Sequence, residues 1–115
     1  MKAYVHTVNK RWGREIWFAN NEEADYCGKI LHINPNSKLS LHFHVVKEEH
    51  LYNQEGDCTI TYLTREGKEV RVELKPGESF HIKPGVVHRF ETENGCSLLE
   101  ASTFHRDEDS RRVLF

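Results

Sequence analysis

Long apolar runs are missing from this sequence, as is the basic segment followed by an apolar stretch that marks a secretory leader. Neither a membrane span nor export is therefore expected, and the cytoplasm is the expected location. An excess of basic charge is missing too: 16 Lys and Arg stand against 18 Asp and Glu, for a formal net charge of −2, and the cations are scattered rather than massed. Such a chain has no field to draw in a phosphate backbone, so nucleic acid is not an expected partner. Cysteine is scarce. Cys27, Cys58 and Cys96 are odd in number and form no C-x-x-C pair, which fits reduced, packed thiols better than a disulfide framework or a thiolate zinc site. No window of helical length carries a sustained i, i+3, i+4 apolar stripe, and there is no internal repeat, low-complexity tract or linker. A chain of 115 residues supports one domain and one core, so any chemistry must sit within a single fold.

What the chain does carry is turn chemistry at short intervals. Asn34-Pro35-Asn36-Ser37, Glu55-Gly56-Asp57, Arg65-Glu66-Gly67-Lys68, Lys75-Pro76-Gly77-Glu78, Lys83-Pro84-Gly85 and Glu93-Asn94-Gly95 each supply or pre-set turn dihedrals. Between them the pattern has period two: Val70, Val72 and Leu74 alternate with Arg71 and Glu73, Ile60 and Tyr62 with Thr59 and Thr61, and Phe80 and Ile82 flank His81. Many short antiparallel strands in one small domain predict an all-β sandwich or jelly-roll barrel, an architecture that often keeps a ligand cavity. The expected organisation is one domain over residues 1–115, with N-terminal strands over about 1–34, a barrel over about 28–105 and a charged, solvated tail over 106–115. Asn20 to Asp25 reads either as one helical turn or as a polar loop, and Val113, Leu114 and Phe115 are expected to dock back on the barrel.

The stretch Leu41-His42-Phe43-His44-Val45-Val46-Lys47-Glu48-Glu49-His50 concentrates possible metal ligands. On a strand, residues i and i+2 share a face, so His42 and His44 project together. A hairpin or bend around Lys47 and Glu48 would bring Glu49 back toward them, and the turn Lys83-Pro84-Gly85 would aim His88 at the same point. Three imidazoles and a carboxylate, without thiolate, suit Mn, Fe, Co, Ni or Zn without selecting one. Taken alone, H-x-H is a weak signal: Leu41, Phe43 and Val45 could equally mark the core face and leave the histidines in water.

The longer series resembles the two motifs of the cupin family, G-x5-H-x-H-x3,4-E-x6-G and G-x5-P-x-G-x2-H-x3-N. His42, His44, Glu49 and Gly56 match the first, and Gly77, Gly85 and His88 match the second. Asn36 stands at the opening Gly, Lys83 at the Pro with Pro84 beside it, and Thr92 at the closing Asn. The resemblance implies a cupin double-stranded β-helix. It also implies one divalent transition metal per chain, held by His42, His44, Glu49 and His88 inside the barrel, with Glu48 able to replace Glu49 in the looser form of the motif. Leu41, Phe43 and Val45 would then lie on the outer face, covered by a partner subunit in a homodimer or, alternatively, by the N-terminal segment with Trp12, Ile16, Trp17 and Phe18.

Several further stretches resemble one cupin branch, the type II phosphomannose isomerase domain: Lys10 to Glu15, Gly28 to Ile33, Leu39-Ser40-Leu41, Ser79 to Glu91, and Leu98 to Ser102. Within its L-S-L-Q-x-H-x-H-R-x-E-H motif, His44, Glu49 and His50 match, while His42, Val46 and Lys47 replace Gln, His and Arg. The resemblance implies a metal-dependent aldose–ketose isomerase acting on a sugar or sugar phosphate. Such an enzyme needs a metal to polarise two oxygens and a base to move a proton between carbons. His81, His50 and Glu100 are the candidate bases. Lys47, Lys83 and Arg89 are candidates for holding a phosphate or carboxylate, with Tyr52 and Tyr62 as candidate cavity walls. Two other readings stay open: a different metal enzyme such as a dioxygenase, and a non-catalytic sugar-binding or small-ligand module.

Overall fold

The computed structural model describes residues 1–113. Twelve strands follow in chain order: β1 (His6–Lys10), β2 (Gly13–Asn21), β3 (Tyr26–Ile33), β4 (Ser37–Lys38), β5 (His42–His44), β6 (Glu49–Gly56), β7 (Cys58–Leu63), β8 (Glu69–Leu74), β9 (Ser79–Ile82), β10 (His88–Thr92), β11 (Cys96–Ser102) and β12 (Ser110–Arg112), with a 3-10 turn at Asp107–Asp109. They form two antiparallel sheets, β1-β2-β3-β11-β6-β9 and β12-β5-β10-β7-β8, with β4 beside β10. No helix among the described residues is long and apolar enough to cross a membrane. The two-sheet jelly-roll follows from the period-two pattern and the frequent turns.

Alternation decides what each strand buries. On β3, Cys27, Lys29, Leu31 and Ile33 are buried in phase, and on β11 Cys96, Leu98 and Glu100 are. On β6, Glu49, Leu51 and Asn53 point inward, and on β10 His88, Phe90 and Thr92 do. Register aligns these sets, since Lys29 pairs with Glu100 and Glu100 with Leu51, while Leu31 pairs with Leu98 and Leu98 with Asn53. The interior therefore grades from a charged end to an apolar middle of Leu31, Leu51, Ile60, Leu98 and Phe90, each almost wholly removed from water. Cys27, Cys58 and Cys96 are free and buried.

Turn geometry closes the apolar end. The side-chain amide of Asn53 donates to the carbonyls of Gly56 at 2.9 Å and Leu74 at 2.8 Å, and Thr92 Oγ1 accepts the Gly95 N–H at 3.0 Å. Thr92, at the motif position usually held by Asn, thus caps the β10–β11 turn. Gly56 has φ +88°, and a Cβ there would stand 2.1 Å from the carbonyl oxygen of Gly95.

Three expectations change. The Lys47–Glu48 bend is not a hairpin: it carries the chain from β5 in one sheet to β6 in the other, so Glu49 approaches the histidines across the barrel. The charged tail is not simply solvated, because β12 pairs with β5 and supplies hydrogen-bond partners to a strand edge that would otherwise lack them. The N-terminal segment does not cover the outer side of β5, because β2 belongs to the opposite sheet and Trp12 packs against the core cluster. Leu41 is already buried within the chain, Phe43 is half-buried, and Val45 and Val46 stay exposed. Of the stretch Asn20 to Asp25, Asn20 and Asn21 end β2 and Glu22 to Asp25 form the β2–β3 turn, with the Ala24 N–H donating to Asn21 Oδ1. The Val113 N–H donates to the Leu41 carbonyl at 2.9 Å, and the docking expected of Leu114 and Phe115 lies outside the described residues.

Gly56→Ala is expected to destabilise the protein by about 1–3 kcal/mol, from left-handed strain and the close approach of Gly95. The midpoint of urea denaturation checks this.

Candidate metal centre

His42 and His44 project from β5, and His88 opens β10, paired in register with His42. The turn before His88 is tied down by the Gly85 N–H, which donates to the His44 carbonyl at 2.7 Å. Potential ligand atoms of the three imidazoles lie within 4.8 Å of one another. Glu49 joins them from the other sheet, with Oε2 3.7 Å from His44 Nε2 and Oε1 3.7 Å from His88 Nε2. The structure thus brings together all four residues that the motif resemblance implies as ligands.

The local chemistry fits a divalent ion. His42 Nδ1 lies 3.1 Å from the Ser40 carbonyl and His88 Nδ1 2.8 Å from the Val86 carbonyl. A carbonyl can only accept, so each Nδ1 carries the proton and each Nε2 keeps its lone pair. His88 Nε2 and Glu49 Oε2 are buried without a hydrogen-bond partner. Burial first, then positive neighbours, pushes the His44 and His88 pKa values down to about 3, so both imidazoles are neutral near pH 7, as a metal ligand must be. Burial, and then the charge of Glu100, raises Glu49 to about 7, against the opposing pull of Lys47.

Beside this group lies a chain of buried charge that the sequence reading did not assemble. Lys47 Nζ is 2.6 Å from Glu100 Oε2, 3.4 Å from Glu49 Oε2 and 3.1 Å from His105 Nδ1, so the ammonium sits between two carboxylates and an imidazole. Because an ammonium cannot accept, His105 Nδ1 accepts and its Nε2–H donates to Asp107 Oδ1 at 2.9 Å. Burial opposes the charge on Lys47, but Glu100 and Glu49 outweigh it and raise its pKa. Glu100 is likewise opposed by burial, yet Lys47 and Lys29 bring it down to about 2. Lys29, 1% exposed, lies 3.4 Å from Glu15 Oε1 and 4.2 Å from the centroid of the Trp17 ring, and burial lowers its pKa.

Both groups open on one cavity of about 910 Å³, with Trp12, Glu15, Lys29, His105 and Asp107 among its walls and Lys10, Arg11, Lys38 and Arg112 exposed at its edge. The other sequence candidates divide accordingly. Glu100 and Lys47 line the cavity. His50 and His81 do not: paired across β6 and β9 on the outer face, their rings stack 4.3 Å apart, and His81 Nε2 meets Glu48 Oε2 at 2.5 Å. The same contact turns Glu48 away from the site. Lys83 is exposed on the β9–β10 turn, Tyr52 points outward, and Tyr62 packs on Phe80 with ring centroids 5.7 Å apart. Arg89 alternates away from His88 and pairs with Glu69 at 3.5 Å.

Lys29 could have been found from sequence, because it shares the inward phase of β3 with Leu31 and Ile33. Glu15, His105 and Asp109 carry no comparable signal. The first sits on a strand where Arg14-Glu15 is followed by Ile16-Trp17-Phe18, so no inward phase can be read, and the other two lie in a charged segment without periodicity.

Comparison with known proteins gives a consistent picture. The sequence profile of the cupin domain matches residues 29–101. The D-lyxose/D-mannose isomerase of Serratia proteamaculans is 29% identical over 77% of this chain and 50% of its own length, so the chain spans half of that relative. Bacillus subtilis oxalate decarboxylase superposes with a TM-score of 0.83 at 16% identity, over 95% of this chain and 30% of the other. The capsular polysaccharide assembling protein CapF of Staphylococcus aureus gives 0.82 at 13% identity, over 98% and 32%. At such identities the two structures speak for the fold alone.

The Glu100 ion pair sets an acid limit on stability. The unfolded carboxyl takes up its proton near 4.5 and the folded one only near 2, so the contribution is complete above pH 4.5 and is lost as pH falls toward 2. Denaturation midpoints across that window should fall, and Glu100→Gln should remove this part of the fall.

Proposed function

This chain belongs to the cupin family, and on that premise we propose that it is a divalent-metal-dependent aldose–ketose isomerase of a monosaccharide or its phosphate. The observation that carries the reading is that the His42–His44–Glu49–His88 group, through His42, His44 and Glu49, shares one cavity with the buried charges of Lys29, Glu100 and Lys47. A sugar isomerase relative supports it. Mn, Fe, Co, Ni and Zn all suit the donor set.

Isomerisation takes a proton from C2 and returns one to C1, while O2 gives up a proton and O1 gains one. A divalent ion held by the three imidazoles and Glu49 would polarise the oxygens on C1 and C2. Lys29, lining the cavity with its pKa lowered by burial, is suited to take the carbon-bound proton as an amine and give it back as an ammonium. Glu100, next to it in register on β11, stays ionised and stabilises the ammonium form. Lys47, fixed by three partners, holds Glu100 and Glu49 in place. Trp12 and Leu39 supply apolar wall that excludes water. Lys10, Arg11, Lys38 and Arg112 at the edge of the cavity favour a substrate with a terminal phosphate; of the candidates for a phosphate or carboxylate, Lys47 is taken up by its buried partners, and Lys83 and Arg89 do not line the cavity. The homodimer belongs to the same reading, with exposed Val45 and Val46 as its apolar contact.

Metal-loaded protein is expected to interconvert an aldose and its ketose. Free and phosphorylated pentoses and hexoses should be assayed in parallel. Lys29→Met should lose about 100-fold or more in kcat with metal binding retained, and His44→Ala should lose both. Absence of turnover on every sugar and sugar phosphate with every one of these metals would end the isomerase reading. Light scattering should return about twice the 13.5 kDa chain mass.

A further inference from the structure

Two of the three clustered histidines are oriented from within their own segments, His42 by the Ser40 carbonyl and His88 by the Val86 carbonyl, each two residues earlier in the chain. His44 has no such partner, and its Nδ1 is buried without a hydrogen bond. The acceptor facing it belongs to the C-terminal segment: Asp109 Oδ2 stands 4.0 Å from His44 Nδ1. We propose that Asp109 is the positioning residue that fixes the tautomer and ring orientation of His44, so that the metal centre is completed by the strap of residues 105–113. The proposal rests on the reading of His44 as a metal ligand.

Asp109 is held for this task. Its Oδ1 accepts the Val46 N–H at 2.9 Å, its Oδ2 accepts the Lys47 N–H at 3.0 Å, and its backbone carbonyl accepts the Val45 N–H at 3.3 Å. All three donors directly follow His44 in the chain, so the carboxylate is locked to the loop that carries the imidazole. Strand β12 adds the register pair Ser110 with His44. Each carboxylate oxygen has a second lone pair, so Oδ2 can serve Lys47 and His44 together. A ring turn that shortens the separation by about 1 Å makes an Nδ1–H···Oδ2 bond, leaving Nε2 bare toward Glu49 and the other imidazoles. An acceptor that merely stapled the loop would do the same for the backbone but would have no influence on which nitrogen of His44 carries the proton.

Asp109→Asn keeps only one of the two backbone N–H bonds and puts an NH2 donor at the other carboxylate position, so the His44 tautomer is read beside affinity to tell a lost Nδ1–H acceptor from a loosened loop. Zinc affinity should be measured by chelator competition on the unaltered protein, Asp109→Asn and a control, Glu108→Gln, which changes an exposed carboxylate in the same turn. Imidazole 15N shifts of His44 should be recorded alongside. Asp109→Asn is expected to weaken zinc binding about 10- to 100-fold and to shift His44 away from the Nδ1-protonated form, with Glu108→Gln unchanged. Affinity within about twofold with an unchanged tautomer overturns the proposal, and so does an equal loss in Glu108→Gln. Should Asp109→Asn fail to fold, amide exchange in the unaltered protein decides. Zinc must then slow exchange at Val46 and Lys47, because coupling between metal and strap is reciprocal, and no slowing overturns the inference. If the unaltered protein binds no zinc, the ligand reading of His44 falls and this inference with it; zinc binding with an indifferent Asp109 removes this inference alone.

Discussion

Lys47 and Glu100 meet at 2.6 Å in an interior where neither could remain ionised alone. Removing two charges from water costs several kcal/mol each, and that cost is offset only where geometry is good and the remaining donors are satisfied. Both conditions hold, since Lys47 also reaches Glu49 and His105, and Glu100 also accepts from Ser102 Oγ at 2.9 Å. Lys47 lies on the short connection between the two sheets, whereas Glu100 lies in the middle of one sheet. The ion pair therefore pins the crossover that delivers Glu49 to the histidines. Without it the bend after His44 would have little reason to enter the barrel, because Val45 and Val46 stay outside.

Much of this was readable from the residues. Alternation and turn chemistry point to an all-β barrel, and the motif resemblance picks out His42, His44, Glu49 and His88, which the folded chain draws together from two sheets. Parity alone would have misled. Placing Leu41, Phe43 and Val45 inward supposes that the core face is the apolar one, and at this end of the barrel the inward face is charged. Of the hairpin or bend expected at Lys47 and Glu48, the chain takes a bend that leads into the other sheet: a turn signal shows that the chain changes direction, not which sheet it joins next.

The C-terminal segment was the least legible. Arg106 to Arg112 is polar throughout, and a three-residue edge strand leaves no periodic trace. What recruits it is non-local, namely the unpaired edge of β5 and the backbone N–H groups of Val46 and Lys47, which only the folded barrel presents. His105 enters the cavity for the same reason, carried there by neighbours that dock, and not by any pattern of its own. His50 and His81 show the converse. They look chemical in sequence, but the register of β6 with β9 puts them on the outer surface.

The grading of buried residues along β3, β6 and β11, from Lys29, Glu49 and Glu100 to Leu31, Leu51 and Leu98, has a consequence for divergence. Lys10, Arg11, Lys38 and Arg112 at the cavity edge are exposed and stand apart from the buried side chains that hold the sheets together, such as Leu51, Leu98 and Asn53. Substitutions of exposed side chains at the edge leave the buried core untouched, so a lineage can retune what it admits without spending stability. In the charged layer that freedom is lost, because each member satisfies two or three others and can change only together with them.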